Sequence, residues 1–325
     1  MTDEHDSRPP AAGERPAAPD APATSAASSA APSAPSARRS AAYAAALVVV
    51  LAASIQTGSA LAVRVIASVG IIEALWLRTA FAALILIVVR PHKLRLPARG
   101  HRVPLALLSM ALLGMNLSFY GAITRAPVGI VVAIEFVGPL AVAVLGTRRR
   151  IDWLWIALAG TGVVVLAGPS GGAGGWGVVL ALTAGTFWGL YLLLAKRAVT
   201  GLDPFSVTTL MMLGSTILLT PALLVTGVSV AGHLNAIGLG VVIAVVSSAF
   251  PYLLELVALK KVRAATYGVL LSIEPAIAAL AGFVVLGQRI SPVEAAAMGA
   301  VMAAAAGASW TSGGAGEQGV DLPAP

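Results

Sequence analysis

Cysteine is absent from this chain. That absence excludes disulfides, thiolate metal sites and thiol catalysis. Charge is scarce: Asp, Glu, Lys and Arg together make up 11% of residues, whereas a soluble domain averages about 25%. So few charges cannot furnish the surface of a large water-exposed fold. The histidines (His5, His92, His101 and His233) show no metal-ligand grouping, so no metal is assigned. There is no phosphate-binding lysine loop and no complete dinucleotide glycine motif, so no cofactor is expected and nucleotide hydrolysis has no support. A nucleophile clustered with a base is also missing, which argues against an enzyme.

What the sequence has in abundance is apolar residues, 58% of 325. They come in blocks of roughly 17 to 25, the length that crosses about 30 Å of hydrocarbon as helix. The blocks do not alternate, which excludes the strands of an outer-membrane barrel. Gly and Ala are frequent throughout, and in lipid such small residues let helix backbones approach closely. Helices are expected near 41–63, 70–89, 103–120, 127–146, 152–168, 176–195, 204–226, 236–256, 264–286 and 292–310. Pro127, Pro204 and Pro292 sit near helix starts, where proline is accepted. Gly171, Gly172, Gly174 and Gly175 form an uncharged turn after the fifth helix.

Residues 1–39 differ from the rest. Ala, Pro, Ser, Thr and charged residues dominate there, and such a segment cannot offset the entropy of ordering. It is expected to be a disordered cytoplasmic tail. Arg38 and Arg39 before an apolar block resemble a signal peptide. The long tail and the many spans that follow favour an uncleaved first helix.

The net charge of +7 could suggest nucleic acid, but the basic residues fall in short clusters between apolar blocks, the positive-inside pattern. With the tail in the cytoplasm, inside loops hold Arg90, Lys93, Arg95, Arg99 and Arg102, then Arg148, Arg149 and Arg150, then Lys196 and Arg197, then Lys260, Lys261 and Arg263. Outside loops hold only Arg64, Arg125 and Arg289. The bias supports an even helix count with both termini cytoplasmic, including a short tail at 312–325.

A shift of 139 residues lays Gly129–Gly160 over Gly268–Gly299, with Glu135 on Glu274 and Arg150–Ile151 on Arg289–Ile290. Nearer the front of each half the shift is about 132 residues, bringing the Arg64 region over the Lys196 region. Each half then carries five helices, at 40–170 and 171–311. Because five is odd, the halves enter the membrane with opposite orientation. The expected fold is therefore an all-α polytopic membrane protein of ten transmembrane helices, arranged as two inverted five-helix repeats. This plan recurs in secondary transporters, which bind substrate between the repeats near mid-membrane.

Several segments carry a family likeness. Ala133-Ile134-Glu135-Phe136-Val137-Gly138-Pro139-Leu140-Ala141-Val142 and Ser272-Ile273-Glu274-Pro275-Ala276-Ile277-Ala278-Ala279-Leu280 are the strongest, joined by Leu77-Arg78 and Leu286-Gly287-Gln288-Arg289. Over residues 41–310 the chain resembles the EamA-like ten-helix members of the drug/metabolite transporter superfamily, and among them the bacterial threonine/homoserine exporters. The resemblance implies export of small amino acids across the bacterial inner membrane. The alternative is a broad drug or metabolite exporter for another small polar solute. Where that pattern often has Glu, this chain has Gln288. With no nucleotide site, a proton gradient is the simplest energy source. The expected partners are a small-molecule substrate, protons and membrane lipid, with no nucleic acid, in a monomer or homodimer.

Polar residues inside apolar blocks are the candidates for the pathway. A lone carboxylate in hydrocarbon is costly and should face the bundle or a cavity. Glu135 and Glu274 are thus read either as proton-coupling or amine-binding groups, or as ties between helices. Pro139 and Pro275, which follow them, free nearby carbonyls in a broken or kinked helix. Arg78 can receive a substrate carboxylate bidentately or anchor a structural pair. Glu73 is expected near the outer interface, solvated. Glu255 is expected to snorkel toward water or meet Lys260. Gln56, Asn116, Tyr120, Trp188, Tyr191, Tyr252 and Tyr267 can line a polar cavity, or serve packing and the interfacial aromatic belt.

Overall fold

The computed structural model describes residues 34–97, 99–145, 149–168, 172–227, 232–261 and 264–313. Contacts divide the chain into Met1–Ala41 and Ala42–Pro325, and the second unit contains the helical bundle. The expected tail at 1–33 lies outside the described residues, as do Gly171, Arg148 and residues 314–325. No strand occurs among the described residues. The helices are α1 (Ala34–Val69), α2 (Ile71–Val89), α3 (Arg99–Ile123), α4 (Val128–Glu135), α5 (Val137–Leu145), α6 (Asp152–Ala167), α7 (Gly174–Gly201), α8 (Pro204–Thr226), α9 (Leu234–Ala244), α10 (Phe250–Lys261), α11 (Ala264–Leu271), α12 (Glu274–Leu286) and α13 (Pro292–Gly313). A π-helical turn, Val245–Ala249, joins α9 to α10. By length and composition, nine described segments can cross a membrane, and α6 is a further, shorter apolar helix of 16 residues. The chain is a multi-pass membrane protein.

Two expected helices are interrupted at their middles. The fourth is split into α4 and α5 at Phe136, and the ninth into α11 and α12 at Ser272–Ile273. Proline explains both breaks. Pro139 has no N–H for the Glu135 carbonyl four residues back, and Pro275, in the first turn of α12, has none for Leu271. The eighth expected helix is continuous but contains the π turn.

Small residues set the closest helix contacts. A Cβ on Gly129 of α4 would stand 2.7 Å from the Ala279 backbone of α12, and one on Gly307 of α13 would stand 2.5 Å from the Trp155 ring of α6. Every residue of α4 is buried, so this half-helix is the centre of the bundle. Gly287, at φ 69°, ends α12 in the left-handed conformation that glycine adopts without strain. Gly287 N then bonds to Phe283 O and Gln288 N to Gly282 O, satisfying carbonyls at the end of the helix. Gln288 also reaches across the bundle, because its Oε1 accepts from Val128 N at the start of α4 at 3.0 Å.

α6 and α13 run antiparallel. Arg149 Nη1, just before α6, donates to Thr311 O near the end of α13 at 3.0 Å, and Glu294 Oε1 near the start of α13 accepts from Gly172 N at 2.9 Å. Trp153 and Trp310 therefore share one end of the bundle, and Trp176 at the start of α7 lies at the other. All three are about three-quarters exposed, at 73%, 76% and 74%, as suits rings at the two lipid headgroup levels.

Candidate functional site

The helix breaks and small-residue contacts enclose a central cavity of about 70 Å³. It is large enough for several waters. α1 supplies Gln56 and Ser59, α2 Arg78, α3 Asn116, α4 Glu135, α7 Trp188 and Tyr191, α10 Tyr252 and Glu255, and α12 Glu274. Eight of the ten residues read as candidates from sequence thus line one space. Tyr120 stands behind it, fully buried, bonded to Arg78. The Tyr267 side chain lies outside the described residues.

Arg78 is 4% exposed, and it is held by neutral groups. Its Nη1 donates to the Tyr120 hydroxyl at 3.0 Å, and its Nη2 to Asn116 Oδ1 at 2.6 Å and to the Tyr252 hydroxyl at 3.5 Å. The Asn116 amide is oriented by its own Nδ2, which donates to Leu112 O at 2.8 Å. The guanidinium also lies 5.4 Å from the centre of the Tyr120 ring, a cation–π distance. Its Nε has no partner among the described residues, and no carboxylate there accepts from it. The alternative reading of Arg78 as the anchor of a structural ion pair therefore finds no partner among the described residues.

The three cavity carboxylates differ in what holds them. Glu274 Oε1 accepts from Gln56 Nε2 at 2.6 Å, across α1 and α12. Glu255 Oε2 accepts from the Tyr191 hydroxyl at 3.1 Å. The Glu135 carboxylate receives no side-chain or backbone hydrogen bond among the described residues, although only 6% of the residue is exposed. Aromatic rings pack beside these carboxylates: Trp188 meets Phe136 edge-on at 5.0 Å, and Tyr191 meets Tyr252 at 6.0 Å.

Two expectations from sequence fail in this region. Glu255 does not snorkel to the surface, and the alternative contact with Lys260 falls on a side chain outside the described residues. Glu255 is 7% exposed and lines the cavity, about one turn along α10 from Tyr252. Glu73 is not solvated but 2% exposed at the start of α2, packed against Gly70 and with Oε1 unpartnered among the described residues. Ser59 and Glu255 are cavity residues that sequence reasoning did not place. Each stands three positions after a placed one, Gln56 and Tyr252, a spacing that shares a helix face.

The arrangement puts one buried cation and three buried carboxylates around a space for a small polar molecule. Comparison with known proteins agrees in kind. Residues 175–310 match the EamA-like transporter family. The threonine/homoserine exporter RhtA of Escherichia coli (strain K12) is 38% identical over 270 residues, covering 82% of this chain and 90% of the exporter. The protein of the same name from Salmonella typhimurium (strain LT2) is 37% identical over 262 residues, covering 79% and 88% respectively. A solved crystal structure of 17% sequence identity superposes with a TM-score of 0.62, covering 84% of this chain and 99% of that one; at that identity the likeness concerns the fold alone. With 38% of the aligned residues identical across 90% of the Escherichia coli exporter's length, this chain belongs to the EamA-like transporter family.

Proposed function

We propose that this protein is a secondary active transporter that exports small amino acids such as threonine or homoserine across the bacterial inner membrane, by proton antiport. The observation that carries this reading is the central cavity, where the Arg78 guanidinium lacks a carboxylate partner among the described residues while three carboxylates stand around the same space. An α-amino acid brings the complement of both charges. Its carboxylate takes up Arg78, whose planar fork suits bidentate binding. Glu135 and Glu274 provide titratable groups that exchange protons as water access alternates between sides. Substrate and proton are then coupled through their unequal affinities for two conformations.

The same reading takes α6 as a tenth span and the chain as two inverted repeats. Its support is the pair of helix breaks that fall within a few residues of each other under the 139-residue shift, at Phe136 just after Glu135 and at Ser272–Ile273 just before Glu274. Tyr120 and Tyr252, matched by the 132-residue shift, also converge on Arg78. Both termini are cytoplasmic in this arrangement, and the α6–α7 turn is outside.

The test is expression in cells stripped of their own amino-acid exporters. Such cells should tolerate more external threonine or homoserine and hold less of it inside. Unchanged tolerance with unchanged internal pools would reject the amino-acid substrate. A panel of nucleosides, sugars and cationic drugs then tests the broader exporter.

A further inference from the structure

Gln56 and Glu274 pair across the bundle and leave two acceptors idle. Gln56 Nε2 donates to Glu274 Oε1, which turns Gln56 Oε1 and Glu274 Oε2 toward surroundings with no donor for either among the described residues. The two residues are 3% and 5% exposed, so bulk water does not satisfy them, and both line the cavity. Apart from Arg78 Nε, the following cavity donors are engaged elsewhere. The Tyr191 hydroxyl serves Glu255, the Ser59 hydroxyl serves Ile55 O, and both Arg78 Nη atoms serve Tyr120, Asn116 and Tyr252. A buried carboxylate beside a buried amide oxygen calls for a ligand with positive charge and more than one N–H.

We infer that the Gln56–Glu274 pair is the seat of the transported solute's primary ammonium group, with Gln56 as the residue that selects it. The inference rests on the cavity being the substrate chamber, and it assigns opposite walls to the solute's two ends. Glu274 supplies charge, which any cation can use. Gln56 Oε1 supplies an acceptor, which only an N–H can use. Gln56 therefore distinguishes a primary amine from a quaternary one of equal charge, and Glu274 distinguishes both from an amine-free solute. Arg78, on α2, remains for the carboxylate.

The experiment measures binding and flux of homoserine, its N-trimethylated form and 4-hydroxybutyrate. The proteins are wild type, Gln56→Leu and Glu274→Asp, purified and reconstituted in liposomes in sodium-free buffer. Wild type should prefer homoserine over the trimethylated form by about tenfold to a hundredfold, the worth of a charge-assisted hydrogen bond. Gln56→Leu should lose that preference while still taking the trimethylated form, which also shows that the variant is folded. Glu274→Asp keeps the carboxylate and should retain the preference for either amine over 4-hydroxybutyrate. An unaltered preference in Gln56→Leu overturns the proposal. So does a sodium-dependent rise in Tm that Gln56→Leu abolishes, since the pair would then hold a metal ion. If Gln56→Leu does not fold, Gln56→Met carries the same comparison. Wild type that refuses amino acids but takes simple primary amines through Gln56 would reject the amino-acid reading and leave the ammonium seat standing. Indifference to the amine in wild type rejects the seat whatever the solute.

Discussion

Gly138 and Gly185 press two helix backbones together, so closely that a Cβ on Gly138 of α5 would collide with the Gly185 carbonyl of α7. A Cβ on Gly185 would in turn strike the Glu135 carbonyl, the group that Pro139 leaves without its helical donor. This contact holds the break after Glu135 against α7. Gly185→Ala should push α4 away and displace Glu135. We expect a loss of about 1–3 kcal/mol from overpacking, seen as a lower Tm in detergent. Flux should fall even in the fraction that stays folded.

Arg78 is held by an amide and two phenols, and a lysine cannot reproduce that planar set of bonds. Arg78→Lys should raise the apparent KM for threonine by about tenfold or more, and Arg78→Gln should abolish saturable uptake into proteoliposomes. Tyr120→Phe removes the 3.0 Å bond and Tyr252→Phe the 3.5 Å one, so the first should do more damage. The reverse order would mean that Arg78 is anchored from the other side.

Proton coupling separates by assay. Glu135→Gln keeps shape and hydrogen-bonding capacity but cannot titrate, and Glu274→Gln does the same. Glu135→Gln should still exchange labelled for unlabelled substrate across equal pools while losing accumulation driven by a pH gradient, whereas Glu274→Gln, which also removes the charge that seats the ammonium group, should lose both. Gradient-driven flux that survives in both variants, with the pH dependence of wild type, excludes both residues as the proton site.

Gln288 contributes only an acceptor oxygen to Val128 N. Gln288→Ala should therefore cost about 1 kcal/mol and lower Tm by a few degrees, whereas Gln288→Glu should retain stability. Equal losses in the two variants would show that the amide nitrogen matters.

The lack of cysteine makes topology directly measurable. Gly175 lies at the start of α7 with open space around it, and Leu96 is 80% exposed between α2 and α3. In intact cells, Gly175→Cys should react with an impermeant maleimide, and Leu96→Cys should react only after lysis. The opposite result inverts the orientation.

Much of this architecture is legible in the sequence because lipid imposes length and forbids stray charge. Glu135, Glu274, Arg78 and Gln56 stand out because polar groups in apolar blocks have few alternatives to a cavity. Which way a residue faces is harder to read. α2 is apolar nearly all round, so its pattern does not show that Glu73 turns inward. Glu255 is misplaced because its position near the end of a helix suggests a charge that snorkels to water, although it stands three residues after Tyr252 and shares that residue's face. The unpartnered atoms of Gln56 and Glu274 leave no trace in the sequence, because they depend on a contact between residues 218 positions apart.

The 16 residues of α6 reach only about 24 Å at 1.5 Å per residue, less than the roughly 30 Å of a typical hydrocarbon core. With α6 as the proposed tenth span, acyl chains must compress to meet it. The bilayer beside α6 and α13 is then thinner than elsewhere around the protein. Shorter-chain lipids should gather on that flank, and thick, sterol-rich membranes should disfavour it.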